Sequence, residues 1–114
     1  MIIKRGDVVL ALFPFTNLSS QKVRPALVIT PDAKSTDVVI AFISSSIWQE
    51  AASTEYILDI GHPDFPATGL KKTSVFKMNK LLTIERTLIL RWLGMVSPAI
   101  QIELDRKLRV ATGL

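Results

Sequence analysis

Cysteine is absent from the 114 residues, which removes disulfides, thiolate metal sites and cysteine nucleophiles together and fits a reducing compartment. Histidine occurs once, at His62, so a mechanism that needs two imidazoles as acid and base is excluded. With 5 Gly and 6 Pro, the chain is neither collagen-like nor low in complexity. No apolar run reaches the ~18 residues of a membrane span, and Met1-Ile2-Ile3-Lys4-Arg5 does not read as a secretory signal. Metal-ligand spacing is lacking, and no metal or other cofactor is expected. There is no glycine-rich phosphate loop, and Ser19, Ser20, Ser44, Ser45 and Ser46 all lack the Gly-x-Ser-x-Gly context of a nucleophile elbow.

What remains is an ordinary globular composition, 48% hydrophobic and 21% charged in 12.6 kDa. That length predicts a single domain over residues 1–114 with one modest core. The net charge of +4 is unevenly spread. Residues 1–31 hold four basic and one acidic side chain, 32–64 one and six, 65–91 six and one, and 92–114 three and two. Basic first and third segments around an acidic second predict a basic face for an anionic partner. Lysines that guard strand edges would give the same pattern.

Asp7 to Phe13 is β-branched and apolar, bounded by Gly6 and Pro14, and predicts a strand. Residues 14–23 carry no periodicity and form a loop longer than a hairpin needs. A second strand follows over Ala26–Ile29, with Pro25 at its first position or on an edge, and a turn spans Thr30 to Asp37. Val38 to Ser45 reads as a buried central strand ending in hydroxyls. Further strands are predicted at Glu55–Ile60 and Ser74–Met78. Lys80-Leu81-Leu82 either continues the latter or forms a sixth. Thr83 to Thr87 predicts one helical turn, and Leu88 to Val96 an extended stretch broken by Gly94. Ser97-Pro98 opens a helix with Ile100, Leu104, Leu108 and Ala111 on one face and Gly113 as its stop. The fold class is mainly β with a C-terminal α-helix, a small barrel with the helix packed against it.

Two residues stand out chemically. Arg24 lies where a loop meets a strand and is held by the following Pro25, and its planar guanidinium suits a phosphate. Ser44 ends an apolar strand with a hydroxyl able to hydrogen-bond a phosphate or a ribose. Each also has an ordinary use, the arginine in a surface ion pair and the serine as a strand end turning polar.

Gly6-Asp7-Val8-Val9, Phe13-Pro14-Phe15-Thr16 and Arg24-Pro25-Ala26-Leu27-Val28, in that order and spacing, resemble the MazF/PemK toxin family. Val38 to Ser45, Gly69-Leu70-Lys71-Lys72-Thr73-Ser74-Val75 and Lys80-Leu81-Leu82-Thr83-Ile84 extend the likeness, which runs from about Gly6 to Pro98. The resemblance implies an SH3-like small barrel and a cytoplasmic homodimer that cuts single-stranded RNA at short sequences without metal. Its implied partners are that RNA and a cognate antitoxin, with DNA reached only through the antitoxin complex. The family's loop arginine matches Arg24, and its strand-end threonine matches Ser44, which keeps the hydroxyl and loses the methyl.

The chemistry implied is attack of the ribose 2′-OH on the adjacent phosphorus, with Arg24 neutralising phosphoryl charge and Ser44 hydrogen-bonding the scissile phosphate. The base stays open between the substrate, a backbone group and Arg24. Thr16, Asn17, Ser19, Ser20, Gln21 and Lys22 are candidates to cover the RNA and read splayed bases. Ser45, Lys71, Lys72 and Lys77, with Lys80, are candidates for its backbone, and Phe15 and Trp48 for stacking. The competing expectation is an inactive barrel that only binds nucleic acid or a partner protein.

Overall fold

Period-two burial organises the chain. The structure, a computed structural model, describes residues 2–13, 22–31, 34, 36–46 and 50–114. Six strands form one antiparallel sheet: β1 (Asp7–Phe13), β2 (Lys22–Pro31), β3 (Asp37–Ser44), β4 (Glu55–Leu58), β5 (Ser74–Glu85) and β6 (Ile89–Met95). Their spatial order is β4-β5-β3-β2-β1-β6, so the sheet curls like a barrel without closing, with β4 and β6 at its edges. One helix, α1 (Pro98–Thr112), follows β6.

Adjacent residues serve opposite faces. Val8, Leu27, Ala41, Ile43 and Phe76 join a cluster that includes Ile100 and Leu104 of α1. Val9, Ala26, Val28, Ile40 and Ile84 join a second cluster. The sheet therefore divides the apolar interior into two, where composition alone predicts one core. With both faces covered, β3 reads as an unbroken apolar run instead of an alternating one.

β1 matches its sequence reading over its full range. β5 answers the question left at Lys80, because Ser74 to Glu85 is one strand. Its register against β3 jumps from Phe42↔Lys77 to Ala41↔Leu81, so Met78, Asn79 and Lys80 are inserted at a bend that curls the sheet. The helical turn read at Thr83–Thr87 is corrected. Thr83 and Ile84 pair with Val39 and Val38 in the ladder, and only Arg86–Leu88 forms a 3-10 turn. Burial of the β-branched Ile84 outweighs local capping by Thr83. β4 stops at Leu58, two residues before the exposed Ile60.

β2 begins at Lys22, so Pro25 lies inside the strand and not at its first position. Its missing N–H is harmless there. The Val28 carbonyl accepts from Gly6 N on the β1 side at 2.9 Å, and alternation then turns the Pro25 nitrogen toward β3. The β2–β3 register runs from Pro31↔Val38 to Ala26↔Phe42, so Pro25 sits one step beyond it.

α1 obeys its local signals. The Ser97 hydroxyl accepts from Ile100 N at 3.2 Å, Pro98 opens the first turn, and Gly113 closes the helix at φ 75°. Ile100 and Leu104 are buried, worth about 2 kcal/mol each in apolar burial.

Candidate functional site

Two strand ends and one loop surround a cavity of about 390 Å³. From β1 and β2 come Leu10, Arg24 and Pro25. From β3 and its end come Ile43, Ser44 and Ser45. The far wall is Gly69, Leu70, Lys71, Lys72 and Ser74, with Arg91 and Leu93 of β6.

Arg24 and Ser44 meet here through register. Continuing Ala26↔Phe42 by two residues sets Arg24 across from Ser44 where β2 and β3 end their pairing. The Ser44 hydroxyl accepts from Ser46 N at 3.1 Å, which leaves its O–H free to donate outward. That local bond limits the rotation that serine, lacking threonine's methyl, would otherwise have.

The far wall is held by its own polar groups and by close packing. The buried Thr68 hydroxyl donates to Phe65 O at 2.7 Å and accepts from Leu70 N at 3.2 Å. The Ser74 hydroxyl donates to Lys72 O at 2.7 Å. Gly69 is left-handed at φ 73°, and an added Cβ would run into the backbone of Leu93. One on Gly94 would meet the carbonyls of Ala67 and Thr68. These two glycines let the Pro66–Thr68 turn lie flat on β6 and bring Lys71 and Lys72 to the cavity.

Among the described residues, every charged one bordering the cavity is a cation, namely Arg24, Lys71, Lys72 and Arg91. None of the four is in an ion pair among the described residues. The resulting positive concavity is suited to an anion. Away from the cavity, burial, then the negative charges of Glu103 and Asp64, raises the Tyr56 phenol above its ordinary value.

Of the residues nominated from sequence, Arg24, Ser44, Ser45, Lys71 and Lys72 border the cavity. Lys77 does not, and its ammonium faces Glu55 at 3.9 Å across the β4–β5 pair. Lys22 opens β2 opposite Phe13, and Lys80 sits exposed on β5; neither borders the cavity. Thr16, Asn17, Ser19, Ser20 and Gln21, with Phe15 and Trp48, lie outside the described residues. His62 belongs to a turn, where its Nδ1 accepts from Asp64 N at 2.9 Å. Sequence reasoning missed Arg91 and Ser74. A signal for Ser74 existed, a hydroxyl following two lysines at the start of a strand. Arg91 had none, because its face depends on irregular pairing within β6.

Comparison with known proteins adds a lineage. Residues 4–112 match the family described as PemK-like, MazF-like toxin of type II toxin–antitoxin systems. No curated protein matches the chain by sequence. An endoribonuclease from a mycobacterial species, solved with its cognate antitoxin, superposes at TM-score 0.75 and 22% identity, covering 99% of this chain and 97% of that one. The Mycobacterium tuberculosis toxin MazF-mt6 gives 0.74 and 22%, over 95% and 97% of the two chains. MazF in a MazE–MazF complex from Deinococcus radiodurans gives 0.76 and 18%, over 100% and 98%. At these identities the structural likeness is one of fold.

Proposed function

The chain belongs to the family of PemK-like, MazF-like toxins of type II toxin–antitoxin systems, and from that premise we propose that it is an endoribonuclease that cuts single-stranded RNA at a short sequence. The observation that carries this reading is the shared cavity. Arg24 of β2 and Ser44 at the end of β3, level in register just beyond the last β2–β3 pair, border one concavity whose charged residues, among those described, are all cationic. Two of the similar structures are themselves titled endoribonucleases or toxins, which agrees with the reading.

The reaction follows from these groups. The ribose 2′-OH attacks the adjacent phosphorus, the P–O5′ bond breaks, and the products are a 2′,3′-cyclic phosphate and a 5′-hydroxyl. Arg24 neutralises charge growing on the phosphoryl oxygens and helps the leaving oxygen, and Ser44 donates to a non-bridging oxygen. Among the described residues no Asp, Glu or His borders the cavity, so the work is alignment and charge stabilisation. We read the cutting as metal-independent, with the four cations that border the cavity supplying the charge stabilisation.

The partners belong to the same proposal. An antitoxin with an acidic, apolar tail would fill the cavity, whose cations are set among Leu10, Ile43, Leu70 and Leu93. Leu90, Trp92 and Met95 stay exposed on the edge strand β6 and support pairing with a second copy. The proposed setting is the cytoplasm, where mRNA is the substrate. DNA is contacted only through the antitoxin complex.

The test is to incubate purified protein with a long single-stranded RNA in EDTA and map the 5′ ends. Cuts within one short motif, ending in cyclic phosphate, are expected. A second reading is binding without cutting, favoured by the serine at the family's threonine position and by the lack of an acid or imidazole among the described residues at the cavity. It would show salt-dependent RNA binding and no cyclic phosphate.

A further inference from the structure

β6 pairs with β1 in an irregular register: Val8↔Gly94, Val9↔Trp92, Leu10↔Arg91 and Ala11↔Ile89. Leu93 and Leu90 are therefore extra residues, each a β-bulge. Ile89 and Arg91 are two apart and would share a face in a regular strand. Ile89 is buried in the second core cluster, behind the sheet. The bulge at Leu90 moves Arg91 to the face of its partner Leu10, and both residues border the cavity. Pro25 pairs with Leu10 from the other side, so Arg91, Leu10 and Pro25 form one row across three strands, while Arg24, paired with Ala11, reaches the same cavity from the neighbouring position.

The bulge thus adds a second guanidinium to the cavity of Arg24. Arg91 is exposed and joins no ion pair among the described residues. A chain that only needed a soluble edge strand gains nothing from turning an arginine inward toward three other cations. Like charges gathered in one concavity repel each other until an anion arrives. Arg24 is level with Ser44 when the β2–β3 register is continued, whereas Arg91 lies across β1 from Arg24.

We infer that Arg91 is a substrate-binding residue that grips a phosphate flanking the scissile one, so the cavity holds two successive phosphates of a single RNA strand. This inference rests on the RNA-cleaving reading above. Arg24 acts on the reacting phosphate and sets the rate. Arg91 holds the strand in place and sets affinity. Its planar fork holds a phosphate by two hydrogen bonds, where a lysine acts as a point charge.

The experiment measures binding and cutting separately. Binding uses an oligonucleotide of the mapped cleavage motif, with 2′-deoxyribose at the cut site so that attack is blocked, titrated at several salt concentrations. Arg91→Ala is expected to weaken binding about tenfold and to lower the slope of log affinity against log salt by about 0.7, the loss of one single-strand phosphate contact. On cleavable RNA the same variant raises KM and keeps kcat within about twofold. Arg91→Lys retains the salt slope, because the charge remains, and recovers only part of the affinity. Thermal unfolding and solution mass matching wild type exclude a folding or assembly defect. An unchanged salt slope and KM in Arg91→Ala overturns the inference while RNA cutting stands. A fall in kcat at constant KM also overturns it, since Arg91 would then act at the reacting phosphate. Failure of the wild type to bind or cut removes the parent reading as well.

Discussion

The two walls of the cavity are built in different ways. The near wall, Arg24 with Ser44 and Ser45, lies just past an unbroken stretch of ladder: after a bulge at Ile29, β2 and β3 pair without interruption from Val28↔Ile40 to Ala26↔Phe42 and then present their next residues. The far wall, Lys71 and Lys72 with Arg91, rests on irregularities: two bulges in β6 and two glycines that let one backbone lie on another. A ladder gives a fixed aim, which suits the group that meets reacting atoms. Bulges and close packing collect charge from distant parts of the chain, which suits grip. The difference assigns chemistry to the near wall and affinity to the far one, and each assignment can be broken separately.

The largest effect is expected at Arg24. Arg24→Ala removes a charged donor from the proposed transition state and should lower kcat by about 10²–10³-fold, the usual loss for one such donor. The side chain is exposed, so the unfolding midpoint should stay near that of the wild type. Single-turnover cleavage with excess protein measures the first, and a thermal melt the second. Full cutting by Arg24→Ala would remove the near wall from the chemistry.

Ser44 sharpens the comparison from within the same wall. Ser44→Ala deletes one hydrogen bond to a charged oxygen and should slow kcat by about ten- to a hundredfold. Ser44→Thr keeps the hydroxyl and adds a χ1 preference, so its rate should equal or exceed that of wild type. If Ser44→Ala cuts normally while Arg24→Ala does not, the hydroxyl serves only the local bond to Ser46 N.

The far wall predicts a loss of stability instead. A methyl group on Gly94 has no space against the carbonyls of Ala67 and Thr68. Gly94→Ala should therefore destabilise the fold by about 1–3 kcal/mol, with weaker RNA binding as Lys71 and Lys72 shift. Denaturant unfolding and a binding titration read the two effects together. Unchanged stability would show that the Pro66–Thr68 turn is free to move away from β6.

What the sequence disclosed follows the same division. β1, α1 and the meeting of Arg24 and Ser44 at one cavity were legible, because alternation, capping and strand order are local signals that register converts into proximity. The cavity's far wall was only half legible. Gly69 to Lys72 could be nominated as a basic stretch, but nothing in the residues announced that Gly69 and Gly94 mark a close approach to β6. Arg91 was hidden for a sharper reason. The face of a strand residue follows from counting by twos, and a single bulge reverses the count. The turn expected at Thr83 failed for a related cause, since pairing with Val39 is a long-range term that no local propensity contains.

The smallest effect is expected at His62, and it tests whether titratable side chains matter at all. A proposed RNA-cutting activity and a single imidazole invite the assumption that it supplies the base. The structure uses that imidazole in another way: its Nδ1 accepts from Asp64 N at 2.9 Å inside a turn, and it is not among the residues bordering the cavity. His62→Ala should leave kcat and KM within about twofold of wild type, and cost at most about 1 kcal/mol of stability through the lost turn hydrogen bond. A rate loss comparable to that of Arg24→Ala would mean that His62 reaches the substrate, and the division of labour between the two walls would have to be redrawn around it.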